Sequence, residues 1–428
     1  MKLFGTVRWA VVGLLFLGGM INYLDRAALS VAAPLLTKEL GLSPAELGVV
    51  FSVFFFGYAG FCFVGGYASD RIGGKNVFAI ASIVWSVFCG LTATVFSFSS
   101  LLTVRVIFGM GEGPYGSATN KLVSNWFPRR QQATAVGWAN AGTPLGGALA
   151  GPIVGFIALT WGWRASFVII AAIGLCWSAV WMLMVTERPE QNRHASAAEI
   201  TEIAADQEAP RGGPPVRLGS LLTRPAVLAT AFAFFGYAYI LYFFLSWFPT
   251  YLTTARHLSL QSMSFVSTIP WLLGFVGLAA GGSVSDAIFH ITGNAVRARK
   301  LVLVVALLIA AGCVALAGSV DTVEAAVALM AVSVFFMYLT GNTYWAIILD
   351  TIDKDRVGGV SGFVHLIANT AGIVAPSVTG FMVQATGGYA GAFGLAGGIA
   401  VLGALSVAVF VRAPAEAGRL VPASQLEL

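Results

Sequence analysis

Gly65-Gly66-Tyr67-Ala68-Ser69-Asp70 closes one apolar run, and Gly281-Gly282-Ser283-Val284-Ser285-Asp286 closes another 216 residues later (281 minus 65). In the same register Ala45 falls on Gln261 and Pro34 lies close to Pro249, while Gly151-Pro152 stands where Ala375-Pro376 returns. A chain that repeats itself once at this length is made of two equivalent halves. Around these landmarks twelve apolar runs follow one another, centred near residues 20, 57, 86, 112, 146, 174, 238, 274, 309, 336, 370 and 400. Each approaches the ~20 residues that cross a bilayer, and spans of this kind must be helical because lipid offers no partner to backbone polar groups. The expected fold is therefore an all-α membrane protein, twelve transmembrane helices in two pseudo-symmetric six-helix halves. Residues 1–186 make the first half, 187–224 a cytoplasmic linker and 225–428 the second half. Within the linker, 195–209 reads as a short surface helix with Glu199, Glu202 and Asp206 outward.

Composition agrees. Of 428 residues 57% are hydrophobic and 10% charged, against about a quarter charged in soluble domains. The 50 glycines would weaken soluble helices but let membrane helices approach closely. Lys2, Arg8, Arg71, Lys75, Arg129, Arg130, Arg297, Arg299 and Lys300 fall on one side of the spans, and little beyond Lys38, Arg164 and Arg256 on the other. By the positive-inside rule both termini face the cytoplasm, and the net charge of +5 calls for no nucleic-acid partner. Cys62, Cys89, Cys176 and Cys313 lie in apolar segments without metal-ligand spacing and read as small packing residues. The first run has basic flanks like a leader, but Asp25-Arg26 interrupts it and eleven spans follow, so it is expected to be a retained helix.

Asp25, Arg26, Arg105 and Glu112 lie inside runs that otherwise read as bilayer-spanning. Such charges cost about 2.5–3.5 kcal/mol each on insertion scales and by default mark a pathway for ions or solutes. Their counterparts in the second half are near Ile240, Leu241, Leu329 and Phe336, so coupling is expected to reside in the first half. Arg105 and Glu112, seven residues apart, share a helix face about 10.5 Å apart along the axis and are expected to line one cavity. Asp25 and Arg26 point in different directions. Asp25 is expected to meet Arg105. With both acids ionised the cluster is neutral, and with both protonated it carries about two positive charges. An anion then binds the protonated form better, and linkage requires it to favour proton uptake. A static ion-pair network docking the first helix on the fourth is the plainer alternative, although two pairs exceed what docking needs.

Gly111-Glu112-Gly113-Pro114-Tyr115-Gly116 matches the dinucleotide fingerprint, but no strand precedes it and it lies within a span, so it reads as close helix packing. No phosphate-binding Gly-x-x-x-x-Gly-Lys-Ser/Thr, metal set or nucleophile elbow appears, so neither an enzyme nor a nucleotide-driven pump is expected. No cofactor is expected, with protons as coupling ions.

Gly66-x-x-x-Asp70-Arg71-x-Gly73-x-Lys75 resembles the cytoplasmic loop signature of the major facilitator superfamily, a resemblance that covers nearly the whole chain. It implies a conformational latch at Asp70, Arg71, Gly73 and Lys75, with Asp286 marking a reduced copy. More narrowly, Asn22-Tyr23-Leu24-Asp25-Arg26, Arg105-x-x-x-Gly109-x-Gly111-Glu112, Asn125-Trp126-Phe127-Pro128 and Trp247-Phe248-Pro249-Thr250-Tyr251-Leu252 resemble the anion:cation symporters. That family includes bacterial sugar-acid permeases, sialin and vesicular glutamate carriers. The resemblance implies Asp25 and Glu112 as proton-coupling acids, and Arg26 and Arg105 as carboxylate contacts or their electrostatic partners. It also implies Tyr58 and Trp345 as pocket residues. Thr143 and His365 depart from the Gln and Asn of the galactonate carriers, which puts galactonate in question. His365 reads equally as a packing histidine. Asn342, Tyr344 and Asn369 could line the site or bond helices together, and Trp247 and Phe248 read as packing.

The expected function is a proton-coupled symporter importing a small organic anion by alternating access: an aldonate, hexuronate or aldarate. Carriers of aromatic carboxylates or small dicarboxylates, and anion exchangers, are the alternatives. A non-transporting metabolite sensor on a transporter fold is the distant one. A bacterial inner-membrane monomer, with lipid and substrate as its partners, is expected.

Overall fold

The computed structural model describes residues 6–205, 218–351 and 357–412. Seven helices precede the linker: α1 (Val7–Leu40), α2 (Pro44–Ile72), α3 (Gly74–Leu91), α4 (Phe98–Glu112), α5 (Tyr115–Trp126), α6 (Arg129–Trp161) and α7 (Trp163–Met184). The linker carries α8 (Ala197–Ala205) and α9 (Leu218–Leu222). Then come α10 (Pro225–Thr254), α11 (Leu260–Val266), α12 (Thr268–Thr292), α13 (Ala295–Ala317), α14 (Val323–Leu339), α15 (Thr343–Thr351), α16 (Val357–Thr386) and α17 (Ala390–Phe410). Helix starts follow local chemistry. Ser43 and Glu46 form a capping box ahead of α2 with Pro44 at its first position, and Pro225 opens α10.

Among the described residues eleven stretches are long and apolar enough to cross a membrane. The remaining crossing is α4 with α5. Gly113-Pro114 interrupts it after Glu112, because a proline ring cannot continue the hydrogen-bond ladder of the preceding turn.

The twofold repeat shows in the packing. In the first half α1 packs on α6, α2 on α4 and α3 on α7; in the second α10 packs on α16, α12 on α14 and α13 on α17. Close approach of α1 and α6 rests on missing side chains: a Cβ on Gly142 or Gly146 would stand 2.0 Å from the Phe16 or Met20 carbonyl oxygen. Gly146→Val should therefore overpack this contact and cost about 1–3 kcal/mol. We expect a lower melting temperature and a poor yield of monodisperse protein, with Gly116→Ala, which meets nothing within 4 Å, as the unaffected control.

The halves meet along α1–α10, α2–α16 and α6 with α11 and α12. Their hydrogen bonds gather where α1 ends and α2 begins, away from the chain termini. Ser377 N and Oγ donate to Ser52 Oγ (3.0 and 2.8 Å), Ala45 N donates to Gln384 Oε1 (3.1 Å), and Thr268 Oγ1 donates to the Ala148 carbonyl (3.0 Å). That end is sealed.

The linker helix corrects one expectation. Glu199 does not face outward; it is 4% exposed and accepts from Arg8 N (3.0 Å) and Val7 N (3.3 Å). The first amides of α1 have no intrahelical acceptor, and the positive helix end attracts a carboxylate. Glu202 accepts from Arg8 Nη2 at 2.9 Å, so α8 is fastened to the first helix. Asp206 lies outside the described residues.

Candidate functional site

The deep charges come together, but not in the expected pairs. Arg26 of α1 donates from Nε (2.9 Å) and Nη2 (2.6 Å) to Oε2 of Glu112, at the last turn of α4. Both side chains are buried, Glu112 completely. Rings surround this guanidinium: its carbon lies 5.0 Å from the Tyr23 and Phe54 centroids and 4.8 Å from that of Tyr58. Facing π-clouds hold a cation that has left water, so the rings fix Arg26 whether or not Glu112 is charged.

Arg105 packs against Phe54 as well. Its guanidinium carbon is 4.9 Å from that ring and 4.8 Å from Phe108, and the residue is 3% exposed. It therefore does not share an open cavity with Glu112, as its position on the same helix face suggested. The expected Asp25–Arg105 pair is also not formed: both Asp25 carboxylate oxygens are buried without a protein hydrogen-bond partner. The helix rotation that swings Arg26 toward α4 carries Asp25 toward α3, where its neighbour is the Cys89 thiol. All four charged residues are buried rather than open to a wet cleft.

The second half supplies neutral groups opposite Arg26. Tyr242 of α10 lies against Phe55 (4.3 Å between centroids) and donates to Asn369 Oδ1 at 2.8 Å. Asn369 in turn donates to the carbonyl of His365, one turn earlier on α16 (2.9 Å). His365 meets Trp345 edge-on at 5.6 Å and stacks on Phe234 at 6.2 Å, making an aromatic wall. Thr143, on α6, donates to its own helix at the Asn140 carbonyl. It stands one turn before Gly147, which abuts the Trp271 ring. Asn342 is exposed in the turn between α14 and α15 and does not join this group.

The loop after α2 is pinned differently from the simple signature. Asp70 pairs with Lys121 of α5 (2.8 Å), Arg71 covers the Tyr67 ring (4.4 Å), and Gly73 takes a φ of +87° that favours glycine. Glu187, read only as the start of the linker, accepts from Gly74 N (3.0 Å), Lys75 N (2.8 Å) and Asn125 Nδ2 (2.8 Å). It caps α3 and ties that helix to α5. Asp286 falls on α12, and its side chain lies outside the described residues.

Two halves of six crossings, deep charges in the first and a neutral aromatic wall in the second, constitute a carrier architecture. A family model described as Major Facilitator Superfamily matches residues 15–376. The chain belongs to the Major Facilitator Superfamily. This is a family of transporters and not of enzymes. Among its relatives, the hexuronate transporter of Bacillus subtilis (strain 168) is 50% identical over 412 residues, 96% of each chain. A probable sulfoacetate transporter of Cupriavidus necator is 33% identical over 93% of each chain, and a probable galactarate/D-glucarate transporter of Bacillus subtilis is 30% identical, covering 95% of this chain and 92% of that one. The inward-facing, occupied structure of a bacterial homologue of the lysosomal transporter Spinster shares the fold (TM-score 0.75, 18% identity, 95% and 97% of the two chains covered).

In this superfamily member several groups around the charges escaped the sequence. Phe54, Phe234 and Tyr242 look like any aromatic residue of an apolar helix. The one available signal was spacing: Phe234 and Tyr242 are eight residues apart on α10 and share a face. Lys121 and Glu187 had no signal beyond their charge near a loop signature.

Proposed function

We propose that this chain is a proton-coupled importer of hexuronates, with Arg26 as the carboxylate receptor and Glu112 as the acid that gates it. The Arg26–Glu112 pair carries this reading. A carboxylate substrate can accept from the same two guanidinium N–H groups that Glu112 Oε2 now occupies, so the two compete for one guanidinium. Proton arrival at Glu112 removes the internal competitor, and the substrate replaces it. Asp25 is the second acid of the coupling machinery and Arg105 its electrostatic background. Phe234, Trp345 and His365 offer a flat wall to the body of a sugar ring, and Tyr58, Thr143 and the Tyr242–Asn369 pair supply hydroxyl and amide contacts around it.

The 50% identity to a protein named hexuronate transporter supports the choice among sugar acids. Cytoplasmic termini make the sealed end the outer one. Asp70, Arg71, Gly73 and Lys75, with Lys121 and Glu187, form the cytoplasmic latch; Asp286 is its reduced counterpart. We take the chain to work as an inner-membrane monomer without a cofactor, with residues 187–224 linking the halves.

Proteoliposomes test it. With the lumen alkaline, glucuronate and galacturonate should accumulate above equilibrium, and a protonophore should abolish the excess. Binding without flux would replace the carrier with a sensor. Flux confined to aldarates would move the substrate class. His365→Asn should lower hexuronate kcat/KM by about tenfold relative to galactonate, because a changed hydrogen-bonding group discriminates between hydroxyl patterns. Paired uptake assays with the two labelled acids measure that ratio.

A further inference from the structure

From Arg26 toward the sealed end, the two halves close on each other twice. The outer closure is made against backbone. A Cβ on Gly151 of α6 would stand 2.1 Å from the Ser264 carbonyl oxygen of α11, and one on Gly155 2.0 Å from Ser264 Oγ. The inner closure is made by a ring. Trp271 of α12 fills the notch left by Gly147 of α6, where a Cβ would stand 2.5 Å from its Cδ2. Both closures border one cavity of about 10 Å³, room for one water and far too small for a sugar acid. Ser30 of α1, Gly151, Phe248 of α10, Ser267 and Trp271 line it, so both halves contribute walls. Trp271 also reaches the substrate site. Its ring meets Tyr23 edge-on (6.1 Å between centroids), and the Tyr23 ring lies 5.0 Å from the Arg26 guanidinium carbon. Arg26 and Tyr23 do not line the cavity. Phe244 backs the indole at 4.9 Å. A glycine on one half facing an indole on the other is a shape fit that rigid-body movement can make and break.

We propose that Trp271 is a plug between the substrate site and the passage to the sealed end, with Gly147 as its seat. The cavity behind the ring is the collapsed remainder of that passage. The proposal takes from the reading above only that substrate is received at Arg26. Two closures in series divide the task. Backbone contact at Gly151 and Gly155 shuts the passage, while the indole shuts the site itself on that side. Anything that enters from the sealed end must pass the ring lifted from its seat.

The experiment uses the purified full chain with Ser30→Cys as a probe on the cavity wall. The sealed end is locked by a Ser52→Cys, Ser377→Cys cross-link, formed where the two hydroxyls already lie 2.8 Å apart. A charged methanethiosulfonate is added, and modification of residue 30 is followed by peptide mass spectrometry. In the locked parent it should be slow, because both ways to the thiol are shut. Locked Trp271→Ala and Gly147→Ala, which remove the plug or its seat, should label about tenfold faster or more, since thiol reaction follows access. Combining Gly147→Ala with Trp271→Phe, a smaller ring for a smaller notch, should return the rate toward the parent's. The buried Cys89 gauges folding and should stay unmodified throughout. Equal rates in the locked parent and the variants would overturn the plug. So would Cys89 reacting together with residue 30, which marks general loosening and not a passage. Without the cross-link, Trp271→Ala in proteoliposomes should lose uphill glucuronate accumulation by about tenfold, because a site open toward both ends leaks. Accumulation at the parent's level would contradict the proposal. A parent chain that moves no hexuronate would overturn the substrate reading instead, while the labelling, which uses no substrate, still decides the plug.

Discussion

Glu112→Gln should abolish proton-driven accumulation of the substrate while leaving exchange intact. Glutamine keeps the shape of the protonated acid but cannot release a proton, so Arg26 stays available to an anion whatever the pH. Accumulation should fall to the equilibrium level, a loss of at least about tenfold, because the differential affinity that links proton and anion has gone. Counterflow and gradient-driven uptake, measured on the same vesicles, separate the two effects. Undiminished uphill uptake would remove Glu112 from the coupling step. Loss of both modes would make it a structural partner of Arg26 only.

Removing the other member of the pair should have a different and larger effect. Arg26→Met leaves Glu112 buried without the cation that hydrogen-bonds it, and breaking a buried pair from one side costs about 3–5 kcal/mol. We expect a markedly lower melting temperature and no detectable transport. The double variant Arg26→Met with Glu112→Gln should recover much of the stability, since no uncompensated charge remains, and none of the transport. That split distinguishes a receptor from a strut. If the double variant transports, the carboxylate is bound elsewhere, and Arg105 becomes the candidate.

Much of this was legible from the chain because lipid is an exacting solvent. Apolar runs of bilayer length must be helices, and the return of Gly-Gly-x-x-Ser-Asp at 281–286 marks the second half. The fourth crossing is the hardest to read, being where the chemistry sits: Arg105, Glu112 and Gly113-Pro114 lower its hydropathy and break its helix together. Charge in a span marked Asp25, Arg26, Arg105 and Glu112 as special, yet could not say who meets whom. Asp25 and Arg26 are one residue and about 100° of helix apart, and the rotation of α1 against α4 is set by contacts such as Gly142 and Gly146 on α6, which one-dimensional spacing does not encode. Glu199 shows the same limit: on a short amphipathic helix it resembles a solvated acid, and only the position of the α1 amides makes it a cap.

The central claim, that a proton on Glu112 frees Arg26 for a carboxylate, is tested most directly by the pH dependence of binding. Calorimetric titration of glucuronate into the purified protein should give an affinity that rises several-fold as pH falls, with proton uptake visible as a dependence on the buffer's ionisation heat. In Glu112→Gln the affinity should be flat with pH and equal to the parent's value at its acid limit. The same pH dependence in Glu112→Gln as in the parent chain would contradict the account.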